Sequence, residues 1–476
     1  MKQNWFIEPF VDTGLGNSAY LIGSHDTKKG ILIDPLRDVD QYIHAASERG
    51  IQLTHVLDTH LHADFVSGNR EIAQQTGAVI GASAGAGLAF DHQHLTEESI
   101  IDLGAFQIQI MTTPGHTPEH ISFLIVDSDS KTPSALFSGG ALIVGGAART
   151  DLLTSELAKP LARQLYHTIH DKLLKLPDEL DVFPTHGAGS FCVSPGSSDR
   201  TTTIGRERMN NSLAQARSEE EFVRRAFDGL SSYPTYYKYM REINQRGAKI
   251  LGGVPVIKPL SPGEVKALMD EGVIVLDVRH GKLFGAGHIP NSYGIRVDAP
   301  LTTWAGWLIP FGSRIVLLAE STEQTIAATR QLIRIGYDNL VGRLEGGIDA
   351  WAREYPVETI PGMNTKELRE RMEAGEDSSR PLLIDVRQKS EWEQGHIPGA
   401  IHFEGGRVAW DELPFPHDRP LAIQCSSGNR SMSAISVLRR RGYHNVIQVE
   451  GGITKWKMHG FPITKDGSKH GFQENS

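Results

Sequence analysis

Cysteine is scarce in this 476-residue sequence, which contains only Cys192 and Cys425. Two cysteines are too few for a disulfide framework, so we expect a reducing compartment, with the cytoplasm as the default location. The sequence also lacks an apolar run of the roughly 20 residues that cross a bilayer, and its first residues lack the apolar stretch of a secretory signal. We therefore expect neither a membrane span nor export.

Basic residues are outnumbered by acidic ones: Lys and Arg total 48, Asp and Glu total 57, and the formal charge is −9. The single dense basic run is the three arginines at 439–441, so nucleic acid is not an expected partner. The composition is that of globular domains, with 39% hydrophobic and 22% charged residues. At this length we expect about three domains.

The second half of the sequence contains an internal repeat. Val275–Arg279 recurs 108 residues later as Leu383–Arg387, and the Glu-Gly-Gly turn that starts at Glu345 recurs 105 residues later at Glu450. Because short apolar runs alternate with helical patterns in both units, we predict a small parallel α/β sheet for each. Asn364 is placed to cap the first helix of the second unit.

The first half has a different pattern, in which short apolar or alternating runs are separated by polar turns rich in glycine and proline. This pattern predicts a sheet-rich, layered α/β domain with a helix from Phe65 to Gln75. We expect strands at residues 19–22, 30–33, 55–57, 106–110, 120–126 and 135–137. The expected domains span residues 1–250, including C-terminal helices and a connector, 254–360 and 362–466.

A group of potential metal ligands follows the predicted strands of the first half. Residues two apart in an extended segment share a side, so His60, His62 and Asp64 can converge on one point. His116 and His186 each follow a later apolar run, beside a glycine turn. Imidazoles and a carboxylate in this order predict a metal site.

On these motifs, residues up to about 205 resemble the metallo-β-lactamase fold, a four-layered αββα sandwich, and more closely its persulfide dioxygenase and glyoxalase II branch. The motifs are Thr59–Asp64, Pro114–Thr117, Phe137–Ala141, Arg149–Asp151 and Pro184–His186. The resemblance implies one iron held in a facial arrangement that leaves positions open for substrate and dioxygen.

Two positions depart from the family pattern: Phe65 stands where the family has His, and Gly140 stands where it has the bridging Asp. A binuclear site would lose ligands, so we expect one ion at most. The family's iron ligands would correspond to His60, His116 and the missing carboxylate at 140. The ion is expected to be iron or zinc, and a metal-free scaffold domain is kept as an alternative.

The five candidate metal ligands divide into first and second choices. His60, His62 and His116 are the first choice because they preserve one whole site, and Asp64 and His186 are second choices. For Arg149 and Asp151 we expect a buried ion pair near the site, not direct catalysis.

The second repeat carries a candidate nucleophile, Cys425, where an apolar strand ends and a helical pattern begins. Its loop can curl into an anion-binding cradle of backbone N–H groups, and the helix dipole and Arg430 add positive charge, so we expect the thiolate to be favoured. The cradle residues are Ser426, Ser427, Gly428 and Asn429. Cys192 lacks such surroundings and is interpreted as structural.

Together with Asp385-Val-Arg387 and the Glu-Gly-Gly turn, this loop resembles the rhodanese family, which implies a sulfurtransferase that carries sulfur as a persulfide on Cys425. Four residues separate Cys425 from Arg430, whereas phosphatases of this architecture have five. In the first repeat the corresponding residues are Ala319 and Gln324, so that repeat is expected to be inactive and to serve spacing or docking.

The leading hypothesis is a cytoplasmic sulfur-metabolism enzyme. Cys425 would exchange sulfane sulfur among thiosulfate, low-molecular-weight thiols and persulfides, coupled to a persulfide dioxygenase-like first domain with an altered metal site. One alternative is a glyoxalase II-like thioester hydrolase with a single metal, and another is a sulfur-carrier or interaction protein with a metal-free first domain. The oligomeric state, a homo-oligomer included, is left open.

Overall fold

The computed structural model describes residues 4–192, 199–228, 230–298, 300–374 and 380–465. The chain divides into two compact units. The first contains the chain up to Pro255 together with Ile333–Gly336, and the second contains Val256–Leu332 and the chain from Tyr337 onward. Within the described ranges, no helix has both the length and the apolar character needed to cross a membrane.

The first unit contains two six-stranded sheets, each with its strands neighbouring one another in chain order. The first sheet consists of β1 (Trp5–Asp12), β2 (Asn17–Ser24), β3 (Lys29–Ile33), β4 (Gln52–Leu57), β5 (Val79–Ser83) and β6 (Gln93–Leu95). The second consists of β7 (Ile100–Asp102), β8 (Phe106–Thr112), β9 (Ile121–Asp127), β10 (Pro133–Gly139), β11 (Asp181–Pro184) and β12 (Thr202–Thr203). The strands predicted from the sequence are confirmed as parts of β2, β3, β4, β8, β9 and β10, except that β9 begins at Ile121, one residue after the predicted start.

Both sheets are mixed. Strands β1 to β3 pair antiparallel and β3 to β6 pair parallel, whereas the second sheet is antiparallel except for the parallel pair β10 and β11. The inward-facing side chains of both sheets, such as Ile22 and Ile31 from one and Phe123 and Phe137 from the other, form one buried core. Alternating side chains thus place one face of each sheet in this shared core.

Helices cover the two outer faces. The outer face of the first sheet packs against residues of the first two helices, including Tyr42 and Ile72, and that of the second sheet packs against Leu165, Ile204 and Phe222. The helices are α1 (Asp40–Glu48), α2 (Asn69–Thr76), α3 (Ser155–His167), α4 (Ile204–Asn210), α5 (Glu219–Phe227) and α6 (Tyr237–Arg246), with a π-helical turn at Thr168–Lys172 and a 3-10 turn at Leu173–Lys175. The predicted αββα sandwich is confirmed.

The helix expected from Phe65 begins later, at Asn69. The Phe65 carbonyl accepts a hydrogen bond from Asn244 Nδ2 at 2.8 Å, and the Ser67 N–H donates to Asn244 Oδ1 at 2.9 Å. The Gly68 N–H donates to the Pro35 carbonyl at 2.8 Å. These backbone groups form hydrogen bonds with residues outside the helix. The predicted start of the helix was therefore wrong by four residues.

The second unit contains two five-stranded parallel sheets with the same topology, as the internal repeat predicts. The first sheet, in the order β13-β17-β16-β14-β15, consists of β13 (Pro259–Leu260), β14 (Ile274–Asp277), β15 (Tyr293–Gly294), β16 (Ile315–Leu318) and β17 (Leu340–Leu344). The second, in the order β18-β22-β21-β19-β20, consists of β18 (Gly362–Met363), β19 (Leu382–Asp385), β20 (Ile401–His402), β21 (Leu421–Gln424) and β22 (Val446–Val449).

The helices of the second unit also repeat. They are α7 (Pro262–Asp270), α8 (Gly281–Ala286), α9 (Leu301–Leu308), α10 (Thr322–Arg334) and α11 (Gly347–Ala352), then α12 (Thr365–Glu373), α13 (Lys389–Glu393), α14 (Asn429–Arg440) and α15 (Gly452–Met458), with a 3-10 turn at Gly405–Ala409. Asn364 caps α12, since its side chain accepts the N–H groups of Lys366 and Glu367 at 3.0 Å, which confirms that prediction.

The two repeats pack together through α9, whose eight residues are all buried. Trp304 and Trp307 of α9 lie against the glycines that begin the 3-10 turn of the second repeat. A Cβ added at Gly406 would lie 2.4 Å from the Trp307 ring, so only glycine leaves room for the indole. The Trp307 carbonyl also accepts a hydrogen bond from Trp410 Nε1. The first repeat therefore supplies part of the second repeat's packing.

Removing the Trp307 indole should destabilise the second unit. For Trp307→Ala we expect a loss of about 3–5 kcal/mol in the free energy of unfolding, because the side chain is only 4% exposed and would leave a cavity. The control is Met458→Ala on α15, whose 72% exposed side chain should contribute within about 0.5 kcal/mol. Urea unfolding followed by far-ultraviolet circular dichroism measures both; equal losses would contradict this packing.

Candidate functional site

Three histidines meet at the carboxyl ends of strands in the first unit. His60 follows β4, His116 follows β8 and His186 follows β11. One ring nitrogen from each lies within 4.8 Å of the other two, and the Nε2 atoms of His60 and His186 are 3.3 Å apart. All three residues are buried. Hereafter they are called the three-histidine cluster.

Hydrogen bonds on the outer side of each ring orient the cluster. The Nδ1 partners are Thr59 Oγ1 for His60 at 2.8 Å, the Arg149 carbonyl for His116 at 2.6 Å and Asn17 Oδ1 for His186 at 3.0 Å. If each Nδ1 carries the proton that these oxygens accept, every Nε2 lone pair faces the centre. Among the described residues, His116 Nε2 has no hydrogen-bond partner, which is what a metal ligand requires.

Burial favours the neutral form of two cluster histidines, His60 and His116. It lowers the pKa of His116 to about 3 and the pKa of His60 well below its usual value, with repulsion from neighbouring histidines adding to the effect. Neutral imidazoles are the form that binds metals, so this donor set fits a single iron or zinc ion.

His62, a first-choice ligand in the sequence analysis, lies outside the cluster. Its Nε2 is 3.1 Å from Asp34 Oδ1, and its ring stacks on Phe65 with 4.1 Å between centroids. Burial would lower the pKa of His62, but the Asp34 carboxylate outweighs burial and raises it. The Nε2 atom of His62 is thus engaged by Asp34, and the geometry groups His186, not His62, with His60 and His116.

Asp64, a second choice, stands beside the cluster. Asn17 Nδ2 donates to Asp64 Oδ2 at 2.6 Å, and Oδ1 has no partner within the described part of the chain. Burial would raise its pKa, but attraction and hydrogen bonding from His186, helped by His62 and Asn17, lower it to about 2. His62, Asp64 and His186 form a second group with potential ligand atoms within 4.8 Å. Asp64 therefore stays an ionised second-choice ligand.

The space around Gly140 is closed. A Cβ at this position would lie 2.6 Å from His116 Cδ2 and 2.9 Å from Ala148 Cβ. The family's aspartate could not enter here unless His116 moved, so the pocket is repacked around glycine.

Arg149 forms the ion pair that the sequence analysis predicted. Its Nε and Nη2 atoms each lie 2.7 Å from the Asp151 carboxylate. Its carbonyl orients His116, so Arg149 supports the cluster without entering it.

In the second unit, Cys425 directly follows β21, and α14 begins four residues later. The Gly428 N–H donates to Cys425 Sγ at 3.1 Å, and Gly428 has a φ of +108° that favours glycine. Several such N–H groups were expected from the sequence; among the described residues, the Gly428 N–H is the backbone donor on the sulfur. Sγ also lies 3.7 Å from Ser431 Oγ, and Cys425 is 1% exposed.

A glycine turn holds the loop from behind. The N–H groups of Ile453 and Thr454 donate to the carbonyls of Cys425 and Ser426 at 2.9 and 3.0 Å. A Cβ at Gly452 would lie 2.0 Å from the Cys425 carbonyl oxygen, so only glycine fits at this position of the Glu-Gly-Gly turn. This turn fixes the backbone that carries the nucleophile.

Arg430 is not a free charge, contrary to the expectation from the sequence. Its Nη2 lies 2.8 Å from Glu391 Oε1 and 2.6 Å from Ser426 Oγ, and its Nη1 bonds the other carboxylate oxygen. The ion pair compensates the positive charge that was expected to stabilise the thiolate. Its catalytic role stays a prediction.

The corresponding loop of the first repeat has the same position but different chemistry. It begins at Ala319, directly after β16, and ends at Gln324 in the first turn of α10. Gln324 Oε1 accepts the Glu320 N–H at 2.9 Å. Without a thiol at 319 it offers no sulfur nucleophile. Cys192, the other thiol of the chain, is fully buried, and burial raises its pKa well above the usual value, which fits the structural role expected for it.

Three supporting residues escaped the sequence analysis: Asn17, Asp34 and Glu391. Asn17 is 169 residues from His186 and Glu391 is 39 residues from Arg430, so no local pattern joins them. Asp34 could have been found from the sequence. It directly follows the buried strand β3, and such a carboxylate lies at the same sheet edge as His60, which follows β4.

Comparison with known proteins agrees with this fold. The metallo-β-lactamase superfamily model matches residues 12–186, and the rhodanese-like domain model matches residues 261–354 and 364–459. Persulfide dioxygenase ETHE1 from Homo sapiens is 31% identical over 186 residues, which are 38% of this chain and 68% of the relative. A hydroxyacylglutathione hydrolase from a Polaromonas species is 34% identical over 173 residues, 36% of this chain and 62% of that protein.

Among solved structures, a metallo-β-lactamase from Staphylococcus aureus is 30% identical, with a TM-score of 0.64, and the match covers 71% of this chain and 99% of that one. The chain therefore belongs to the metallo-β-lactamase superfamily, with an N-terminal domain homologous to persulfide dioxygenase ETHE1 followed by two rhodanese-like domains. This combination of domains supports a role in sulfur metabolism.

The metal ligands can be tested with two matched variants. His186→Gln removes a cluster nitrogen, so we expect metal affinity to fall at least about 10- to 100-fold. His62→Gln keeps a hydrogen-bond donor for Asp34, so we expect metal content to stay near that of the wild type. Elemental analysis of the purified proteins measures metal per chain. Loss of metal in His62→Gln alone would restore the ligand set first chosen from the sequence.

Proposed function

We propose that this protein is a sulfur-metabolism enzyme in which Cys425 accepts a sulfane sulfur and passes it to a second nucleophile. The observation that supports this most directly is the position of Sγ at the exit of β21, with the Gly428 N–H 3.1 Å away and α14 starting behind the loop. A backbone donor and a helix N-terminus both stabilise negative charge on sulfur. We keep the cytoplasmic location as part of the proposal, since both cysteines are free.

The transfer step is a displacement at sulfur. The Cys425 thiolate attacks the outer sulfur of a donor R–S–SH, the donor's S–S bond breaks, and R–S⁻ leaves with the electron pair and takes a proton from water. The product is a persulfide on Cys425, which a thiol acceptor then attacks in the same way. The Gly428 N–H is positioned to hold the charged sulfur before attack and after the sulfur is handed on.

For the first domain we propose one metal ion, held by the three-histidine cluster. A bound iron would supply the redox chemistry that joins persulfide sulfur to dioxygen, consuming one dioxygen and one water and giving a thiol and sulfite. The chain's own contribution is orientation: Thr59, the Arg149 carbonyl and Asn17 fix the three rings. The Asp34 carboxylate lies beside them and engages His62 Nε2 at 3.1 Å.

A thioester hydrolase is a second candidate for the first domain, because three histidines are also a zinc ligand set that makes bound water acidic. The similarity to a hydroxyacylglutathione hydrolase supports this candidate. Iron with oxygen uptake on glutathione persulfide supports the dioxygenase, and zinc with cleavage of an acyl-glutathione supports the hydrolase.

The domain boundaries remain part of the proposal. We propose domains at residues 1–250, 254–360 and 362–466, with the middle one inactive, because its loop holds Ala319 where the third domain holds Cys425.

Sulfur transfer should depend on one thiol. We expect Cys425→Ser to abolish thiocyanate formation from a sulfane-sulfur donor and cyanide, because the hydroxyl cannot carry a persulfide. Cys192→Ser is the matched control and should retain transfer, because that thiol is buried and un-ionised. Transfer that persists in Cys425→Ser would exclude Cys425 as the nucleophile.

Metal removal should separate the two activities. We expect chelator-treated protein to lose oxygen uptake on glutathione persulfide and to keep Cys425-dependent sulfur transfer, because the metal cluster and the thiol lie in different domains. An oxygen electrode and the thiocyanate assay, applied to the same sample, measure both. Oxygen uptake that is unchanged after verified metal removal would rule out the metal's role.

A further inference from the structure

The charge of the Cys425 loop is set by a single ion pair. The loop runs from Cys425 to Arg430 and contains one charged side chain, Arg430. Glu391 of α13 meets it with both carboxylate oxygens, and Ser426 Oγ also donates to Glu391 Oε1 at 3.1 Å. Bidentate pairs of this kind are strong and directional. The side chains of Arg430 and Glu391 together therefore carry no net charge.

The Glu391 carboxylate is held from its own helix as well. Its Oε2 accepts the Gln388 N–H at 3.2 Å in a capping box at the start of α13. Burial would raise the pKa of Glu391, but hydrogen bonding and charge attraction from Arg430 outweigh burial and lower it. A fixed, ionised carboxylate thus stays next to the loop.

The first repeat shows that the fold does not need this pair. There, Leu283 stands at the position of Glu391 and Gln324 at that of Arg430, and the same strand, loop and helix form without either charge. Both charges disappear in the repeat that has also lost the cysteine. The pair therefore belongs with the sulfur chemistry and not with the architecture.

The neutralised arginine discriminates between donors, because Arg430 paired with Glu391 no longer attracts an anion. Thiosulfate carries two negative charges within the small group that must reach Cys425, and the charge of Arg430 that could attract it is already compensated by Glu391. An organic persulfide brings at most one charge at the reacting sulfur, with any further charges on its distant organic part. The Coulomb attraction that this pairing cancels is large enough to change donor preference.

We propose that Glu391 is a specificity-determining residue that makes the second rhodanese domain select organic persulfides over thiosulfate. The proposal rests on the proposed sulfur transfer through Cys425. In the favoured reaction, the Sγ–S bond forms while the donor's S–S bond breaks and the organic thiolate leaves.

The test compares kcat/KM for thiosulfate and for glutathione persulfide, with cyanide as the acceptor of both. For Glu391→Gln we expect the thiosulfate-to-persulfide ratio to rise by about tenfold or more, because the variant releases the charge of Arg430. Glu391→Leu copies the first repeat and should raise the ratio in the same direction. Glu393→Gln, on the same helix, changes an acid that is 62% exposed and should leave the ratio unchanged.

A wild-type protein that prefers thiosulfate, or a ratio that stays within threefold in both Glu391 variants, would overturn the selectivity. A rise in the double variant Glu391→Leu, Arg430→Gln as large as in Glu391→Leu would also overturn it, since the effect requires the freed arginine. Absence of transfer from either donor in the wild type would instead contradict the proposed function, so the two failures are distinguishable.

Discussion

The hydrogen bond from the Gly428 N–H to Cys425 Sγ is the contact on which the proposed sulfur chemistry depends. It exists because Gly428 adopts a positive φ and because a second glycine turn holds the loop from behind, where a Cβ at Gly452 would collide with the Cys425 carbonyl. The Glu391 and Arg430 pair then completes the loop without adding net charge. The sulfur is therefore stabilised mainly by backbone and helix, which do not depend on the charge of the donor.

The first domain uses hydrogen bonding for a different purpose. Three outer-side bonds aim imidazole nitrogens at one buried point, and the His62 and Asp34 ion pair keeps a fourth histidine out of it. Burial lowers the pKa values of His60 and His116, so their lone pairs stay available at physiological pH. At position 140, where the family has an aspartate, His116 and Ala148 fill the space. The pocket is therefore repacked, and the cluster is not simply the family's site with one ligand removed.

Much of the fold could be predicted from the sequence, because both period-2 alternation and the internal repeat are local or self-similar signals. The metal ligands were harder. The two-residue spacing of His60 and His62 was interpreted as two side chains on one face of a strand, but β4 ends at Leu57 and the histidines lie in irregular backbone. There the two rings lie 4.1 Å apart between centroids, but Nε2 of His62 is directed to Asp34. Glu391 was missed because its partner, Arg430, lies on another helix. Comparison of the two repeats identifies the position, since the first repeat has Leu283 there.

The most direct test of the central claim is to identify the residue to which sulfur first becomes covalently attached. The wild-type protein should be incubated with glutathione persulfide, trapped with an alkylating reagent, digested and analysed by mass spectrometry. The account predicts one added sulfur atom on the peptide that contains Cys425 and none on the peptide that contains Cys192. Sulfur on the Cys192 peptide, or on neither, would contradict it.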